Sequence, residues 1–164
     1  MTFHILHVDD EPDIRKITEL SLGLNPDIVT RGCASGLDAI AVATEWLPDV
    51  ILCDVMMPLM DGPTMLARLR AQPETANIPI IFMTARAQAT ELDLLKSLGA
   101  VAVISKPFDP MTLAATVLDL LQSARVETLR ALAATGKRRD GAAAKETSSN
   151  EEDKPLPTPT ADAA

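Results

Sequence analysis

Polar residues that could carry out chemistry stand at the ends of apolar runs in this sequence. Asp9 and Asp10 directly follow the first run, and Asp54 ends the third. Thr84 follows the fourth run, and Lys106 comes shortly after the fifth. Three carboxylates, a hydroxyl and an ammonium group are therefore placed at corresponding points along the chain. These five residues are the candidates for a functional site.

The chemistry open to this set follows from its charges. Three carboxylates held within a few ångströms would repel, which raises their pKa values and destabilises the fold unless a cation joins them. Ligands that are all oxygen suit a hard ion, and Mg²⁺ is the natural choice because it keeps waters and accepts phosphate oxygens. Beside Mg²⁺, one carboxylate could attack a phosphoryl donor, while Lys106 and Thr84 hold two other phosphate oxygens. The set predicts a Mg²⁺-dependent acceptor of a phosphoryl group.

These residues need a scaffold that brings the ends of separate runs together. Five β-rich runs are mostly apolar without interruption, as in strands covered by helices on both faces. Helical patterns and short connections between them predict an α/β fold with a doubly wound, five-stranded parallel sheet. Ligands of such sheets bind beyond the carboxyl ends of the strands. The predicted strands are Phe3–Val8, Ile28–Gly32, Val50–Cys53, Ile78–Met83 and Val101–Ile104.

Helix signals lie between the predicted strands. Pro12 suits a first helical position, Ser35 can cap the second helix, and Gly99 can end the fourth. Trp46 is expected to pack at the end of the second helix. Four apolar residues share one broad face of the first helix, namely Ile14, Ile17, Leu20 and Leu24.

The histidines of the first strand have a structural explanation. His4 and His7 alternate along it, so we expect core or partly buried residues and not phosphate acceptors or metal ligands.

Composition excludes several classes of protein. The chain has 164 residues, 47% of them apolar, which is enough for one ordinary domain. No apolar run approaches the roughly 18–20 residues of a membrane-crossing helix, and the start of the chain lacks a signal peptide, so we expect no membrane insertion. The net charge of −8 argues against direct nucleic-acid binding, which needs a basic face. Cys33 and Cys53 are interpreted as reduced thiols, with one disulfide as the alternative. Together, these features predict a soluble, acidic, cytoplasmic protein.

Composition also divides the chain. Residues 1–124 carry the alternating strand and helix patterns. Residues 125–136 continue the apolar spacing of the last helix, either as an extension that supports dimerisation or partner docking, or as a frayed, solvated end. Residues 137–164 are alanine, serine, threonine, proline and charge, which predicts a disordered polar tail because so little apolar surface can be buried there.

Four segments of the sequence resemble the signature blocks of a known family. They are His7–Pro12, Asp54–Gly62, Met83–Arg86 and Ser105–Phe108. In this order and at these strand ends, they are similar to the blocks of two-component response-regulator receiver domains, and the likeness covers about residues 1–124. The resemblance implies a CheY-like, flavodoxin-like (βα)₅ fold with strand order 2-1-3-4-5. With only a polar tail after it, the stand-alone, single-domain type is expected.

The resemblance also assigns the phosphoacceptor and its metal ligands. Asp54 would receive a phosphoryl group from a phosphohistidine on a sensor histidine kinase or a histidine phosphotransfer protein. Asp10 and Asp54 would bind Mg²⁺ directly, with the Met56 backbone carbonyl as a further ligand. Asp9 would act through a water molecule.

The phosphate contacts and the switch are assigned in the same way. Lys106 would pair with the acceptor and the phosphate, Thr84 would be the switch hydroxyl, and Ala85 would bind phosphate. The Lys106–Pro107 peptide bond is expected to be cis. Position 103 departs from the family, which commonly has Tyr or Phe there; Val103 is stiff and has no ring to relocate. We therefore expect the readout to depend on Thr84 and the loop after it.

The resemblance implies a signalling switch and leaves alternatives open. The chain would act on a downstream protein, through the face formed by the fourth helix, fifth strand and fifth helix, which could also form a homodimer. It would not be an enzyme apart from its own phosphotransfer and autodephosphorylation. A phosphoryl shuttle in a phosphorelay is the main alternative. A haloacid dehalogenase-type phosphatase fits less well, because Asp9-Asp10 lacks the Asp-x-Asp spacing.

Overall fold

Strands and helices alternate along the chain in the computed structural model. It describes residues 1–143, and the side chains of residues 1–136. The strands are β1 (Phe3–Val8), β2 (Ile28–Cys33), β3 (Val50–Asp54), β4 (Ile80–Thr84) and β5 (Ala102–Ser105). The helices are α1 (Pro12–Leu22), α2 (Gly36–Trp46), α3 (Gly62–Arg70), α4 (Ala89–Ser97) and α5 (Leu113–Ala143).

The five strands form one parallel sheet in the order β2-β1-β3-β4-β5. This order confirms the predicted doubly wound fold. The chain first builds outward from β1 to β2 and then crosses to β3, so the strand order reverses beside β1. Ligands of open parallel sheets bind at such a reversal, beyond the carboxyl ends of the strands.

The core occupies both faces of the sheet because successive strand residues point to opposite sides. On one face, Leu6, Ile51 and Phe82 belong to a buried cluster with residues of α2, α3 and α4. On the other face, Ile5, Leu52 and Ile81 pack with residues of α1 and α5. Burial on both faces explains the uninterrupted apolar runs of the central strands.

The fourth strand begins later than predicted and ends later. The Ile78 N–H donates to the Thr75 carbonyl oxygen at 3.1 Å, so Ile78 belongs to a turn, and Pro79 has no N–H to donate. At the other end, Thr84 pairs with Ser105 of β5. Thr84 is therefore the last residue of β4 and not the residue after it.

Helix α1 does not bury the apolar stripe seen in the sequence. Its buried residues are Thr18, Ser21 and Leu22, whereas Ile17 and Leu20 are 41% and 60% exposed. The Thr18 and Ser21 hydroxyls donate to carbonyl oxygens one turn earlier, at 2.8 and 2.7 Å. Because these hydroxyls are satisfied within the helix, they can face the sheet at little cost.

Trp46 ends α2 at the amino edge of the sheet. Its ring stacks on His4 with centroids 4.9 Å apart, and the guanidinium of Arg31 lies 4.7 Å from the ring centroid. The indole also packs against the buried cluster beneath α2, which confirms its predicted packing role.

The last helix continues beyond the compact domain. The chain divides into a unit of Met1–Val126 and a second unit of Glu127–Ala164, and α5 runs through the boundary to Ala143. The helix was expected to end near Gly136, so residues 137–143 of the predicted tail are helical. The remainder of that predicted tail, residues 144–164, lies outside the described residues. Within the described part of the chain, no helix is long and apolar enough to cross a membrane.

Candidate functional site

The carboxyl edge of the sheet gathers the polar residues that the sequence singled out. Asp9 and Asp10 follow β1, Asp54 is the last residue of β3, and Thr84 is the last residue of β4. Lys106 directly follows β5, and its backbone N–H donates to the Thr84 carbonyl oxygen at 2.8 Å. Parallel strands end at one edge, so these residues become neighbours although they are far apart in sequence.

Three carboxylates form a tight cluster at this edge. One oxygen each from Asp9, Asp10 and Asp54 lies within 4.8 Å of the others. Asp9 is 1% exposed, Asp54 is 8% exposed, and Asp10 is half-buried. Burial raises the pKa of Asp54, and the Asp9 charge raises it further, while Lys106 and the Met56 backbone N–H oppose this. The cluster therefore concentrates negative charge that needs a cation.

Lys106 supplies one positive charge to this cluster. Its Nζ lies 2.7 Å from Asp9 Oδ2 and 3.4 Å from Asp54 Oδ1, and its side chain is 15% exposed. Burial lowers the pKa of Lys106, but the hydrogen bond to Asp9 and the charges of Asp54 and Asp9 outweigh it, so the net pKa is raised. Sequence reasoning paired Lys106 with the acceptor; its nearer partner here is Asp9.

Asp9 is fixed at every polar atom. Its second carboxylate oxygen accepts from the Glu11 N–H at 2.9 Å, and its own N–H donates to the Cys33 carbonyl oxygen at 3.1 Å. Arg15 donates from Nη1 to the carbonyl oxygens of Asp9 and Asp10, at 2.9 and 3.3 Å. The backbone that carries both carboxylates is therefore tied to α1.

Arg15 is the residue that sequence reasoning missed. Its only signal was an arginine within the first turns of a helix that follows two acidic residues. Such an arginine more often lies in solvent, so nothing in its type or spacing separates the two cases.

Thr84 is buried, and its hydroxyl contacts the loop that follows β4. The hydroxyl accepts from the Arg86 N–H at 3.0 Å and lies 3.3 Å from the Arg86 carbonyl oxygen. Ala85 and Arg86 are exposed. Val103 lies on β5, is partly buried, and packs against the core on the α2, α3 and α4 face.

The start of α3 packs closely against the backbone at the end of β3, where Asp54 lies. The Gly62 N–H donates to the Val55 carbonyl oxygen at 2.9 Å. A Cβ at Gly62 would lie 2.7 Å from both the Asp54 carbonyl oxygen and Phe82, so the close approach requires glycine. The Met56 side chain is 64% exposed beside the acceptor. The Lys106–Pro107 bond is cis, as expected.

His7 does not join the cluster although it is two residues from Asp9. It is 2% exposed, and neither ring nitrogen has a hydrogen-bond partner among the described residues. Burial lowers the pKa of His7, which keeps the ring neutral at pH 7. The expectation of a core histidine is confirmed.

Residues 5–118 match the family model of the response regulator receiver domain. This chain belongs to that family. Receiver domains are the phosphorylation switches of two-component systems and work with kinases.

Solved structures and relatives agree with this assignment. The chemotaxis response regulator CheY4 of Vibrio cholerae has a TM-score of 0.68 and 30% identity, over 73% of this chain and 99% of that one. Response regulator Rre1 of Synechocystis is 34% identical over 117 residues, which cover 71% of this chain and 51% of that protein. The DNA-binding dual master transcriptional regulator RpaA, also of Synechocystis, is 34% identical over 72% of this chain and 48% of that protein. The chain thus spans about half the length of these two relatives.

Proposed function

We propose that this chain is a signalling switch in which Asp54 accepts a phosphoryl group from a phosphohistidine on a histidine kinase or a histidine phosphotransfer protein. The observation that carries the proposal is the cluster of Asp9, Asp10 and Asp54 with Lys106 among them, at the carboxyl edge of a receiver fold. Of the three, Asp54 alone lies within a strand, and all five residues of that strand are buried.

The transfer requires one new bond and one broken bond. An Asp54 carboxylate oxygen forms a bond to phosphorus, and the P–N bond to the donor imidazole breaks. The imidazole leaves with the electron pair of that bond and can take up a proton. Lys106 Nζ lies 3.4 Å from Asp54 Oδ1, within reach of a phosphate oxygen next to it.

The donor set fits a Mg²⁺ ion. It offers carboxylate oxygens without nitrogen or sulfur, and burial around the set makes an added cation favourable. We propose that Asp10, Asp54 and the Met56 carbonyl hold the ion, with Asp9 acting through water. When bound, Mg²⁺ would neutralise charge on the transferred phosphoryl group.

Thr84 and the loop after β4 are proposed to carry the readout. To donate to a phosphate oxygen, the Thr84 hydroxyl must turn its proton away from the Arg86 carbonyl oxygen. We propose that the side chain moves toward the phosphate at the same time and so also releases the Arg86 N–H. Val103 has no ring that could move instead. The change would reach a downstream protein through α4, β5 and α5, where Leu94 and Leu98 are 57% and 47% exposed. The same face is the proposed site of a homodimer.

Labelling with acetyl phosphate tests the acceptor. Intact-mass measurement should show one added phosphoryl group in the wild type with Mg²⁺ and none in Asp54→Asn. The labelled chain should lose its phosphate in the course of autodephosphorylation without sustained turnover of phosphomonoesters. Labelling of Asp54→Asn, or sustained phosphomonoester hydrolysis, would overturn the proposal, and the latter would favour the phosphatase alternative.

A further inference from the structure

Leu59, in the loop between β3 and α3, combines two unfavourable features. Its φ is +66°, in the left-handed region that clashes with an L side chain. Its side chain is also completely exposed, at 105% of the reference area. Neither feature helps the domain to fold, and backbone strain of this kind is often found at functional sites.

The loop around Leu59 is firmly held, so the leucine has a defined position. Met57 and Met60 are 8% and 6% exposed and belong to the core beneath α2 and α3. The Met60 N–H donates to the Pro58 carbonyl oxygen at 2.8 Å, and Asp61 caps α3 through the Thr64 N–H at 2.8 Å. The backbone that carries the exposed Leu59 side chain is therefore held in place.

Leu59 also lies at the same edge of the sheet as the acceptor, in the loop that follows Asp54. The loop begins directly after Asp54, and its Met56 is 64% exposed. A cleft of about 520 Å³ is lined by Val55, Met56, Met57, Pro58 and Asp61. A macromolecule that reaches Asp54 comes close to the loop that starts there, whereas a small phosphodonor need not touch it.

We propose that Leu59 is a contact residue for the protein that donates the phosphoryl group, an inference that rests on the proposed function. A donor protein that fits this contact has an apolar side chain near its phosphohistidine, which packs against Leu59. Asp61 lines the cleft and Asp10 belongs to the acidic cluster, so the surrounding donor surface is neutral or basic. The contact selects the donor and does not take part in the P–N cleavage or the P–O bond formation.

Leu47 provides a matched control within the same chain. It has a φ of +49° and is 54% exposed, so it shares the strain and the exposure of Leu59. It follows α2 as that helix returns to the start of β3, at the amino edge of the sheet. Leu47 is thus at the opposite edge from Asp54.

The experiment compares Leu59→Asn with Leu47→Asn, because asparagine tolerates the left-handed region better than leucine. Both variants should melt about 2–4 °C above the wild type as strain is relieved. Each is then labelled by acetyl phosphate and by a phosphorylated histidine kinase chosen beforehand for its transfer to the wild type. The ratio of the kinase rate to the acetyl phosphate rate should fall about fivefold or more in Leu59→Asn, as expected for loss of an apolar anchor.

Further variants make the outcomes decisive. Leu47→Asn should keep the wild-type ratio, and Leu59→Met, which keeps an apolar side chain, should retain most of it. An unchanged ratio in Leu59→Asn, or an equal fall in Leu47→Asn, would overturn the inference. Failure of acetyl phosphate, and of every phosphorylated kinase tried in that choice, to label Asp54 of the wild type would instead contradict the proposed function.

Discussion

Asp9 and Thr84 lie at the same edge of the sheet, yet their surroundings differ. Each polar atom of Asp9 has a partner, contributed by Glu11, Arg15, Cys33 and Lys106. Among the residues that the structure describes, the Thr84 hydroxyl has hydrogen bonds only to the backbone of the exposed loop that follows it.

The contrast extends to the elements around the two residues. The helix after Asp9, α1, buries Thr18, Ser21 and Leu22, whereas the helix after Thr84, α4, buries only Leu95. Regions with few buried contacts open at low free energy, and regions with many open only with the whole domain. The side that captures phosphate is therefore rigid, and the side that reads it can move.

Among the substitutions on the rigid side, Lys106→Met should have the largest effect on stability. We expect a loss of ~2–4 kcal/mol in the free energy of unfolding, because removing one partner of a buried ion pair leaves the other charges uncompensated. Added Mg²⁺ should stabilise this variant more than the wild type, since it supplies a replacement charge. Urea unfolding with and without Mg²⁺ measures both effects. Lys96→Met on α4 is the control, and a similar loss there would contradict the assignment.

Thr84→Ala and Val103→Ala test the mobile side. In the wild type, phosphorylation should speed amide exchange of Arg86 by about tenfold, as expected when one hydrogen bond worth about 1.4 kcal/mol is lost. In Thr84→Ala, the Arg86 amide should exchange fast whether or not Asp54 is phosphorylated. In Val103→Ala, phosphorylation should still speed the exchange of the Arg86 amide. Exchange is followed by mass spectrometry with and without acetyl phosphate. Equal loss of the response in Val103→Ala would refute a readout through Thr84.

Arg15→Met should loosen the rigid side without removing any carboxylate. Outer partners that orient metal ligands affect affinity strongly, so Mg²⁺ binding should weaken by about tenfold, measured by calorimetry. Stability should fall by ~1–2 kcal/mol from the lost hydrogen bonds. Lys16→Met is the matched control, because Lys16 is exposed and contacts only Glu19 among the described side chains. If the two variants bind Mg²⁺ equally well, Arg15 does not position the cluster.

His7→Val should have the smallest effect, in the opposite direction. Removing a buried imidazole without partners should stabilise the domain by ~1 kcal/mol at pH 7. The folded pKa of His7 lies below its ordinary 6.5, so the unfolded chain takes up the proton first as the pH falls. Wild-type stability should therefore drop below about pH 6.5, and the gain from His7→Val should grow between pH 7 and pH 5. If the difference in unfolding free energy between His7→Val and the wild type is the same at pH 7 and at pH 5, His7 does not contribute to the pH dependence of stability.

The sheet and the cluster could be predicted because local patterns determine them. Uninterrupted apolar runs require cover on both faces, and residues at the ends of parallel strands must meet. Ser35 caps α2 through the Asp38 N–H, and Gly99 follows α4 with a φ of +112°, both as their residue types predict.

Other features depend on contacts that a linear pattern does not contain. The apolar stripe of α1 resembles a buried face, but the satisfied hydroxyls of Thr18 and Ser21 allow the opposite orientation. Whether Lys106 lies nearer to Asp9 or to Asp54 depends on the relative positions of the ends of the strands, which the sequence does not show. The left-handed backbone of Leu59 arises from the anchoring of its neighbours, since leucine itself disfavours that conformation.

The position of Trp46 has an optical consequence. The chain has one tryptophan and no tyrosine, so its intrinsic fluorescence comes almost entirely from one ring. That ring contacts His4 and Arg31 at the amino edge of the sheet, at the opposite edge from Asp54. Its emission will therefore report whether the domain is folded, whereas phosphorylation of Asp54 will change that emission little. Detecting phosphorylation by fluorescence would require a second fluorophore near the β4–α4 loop.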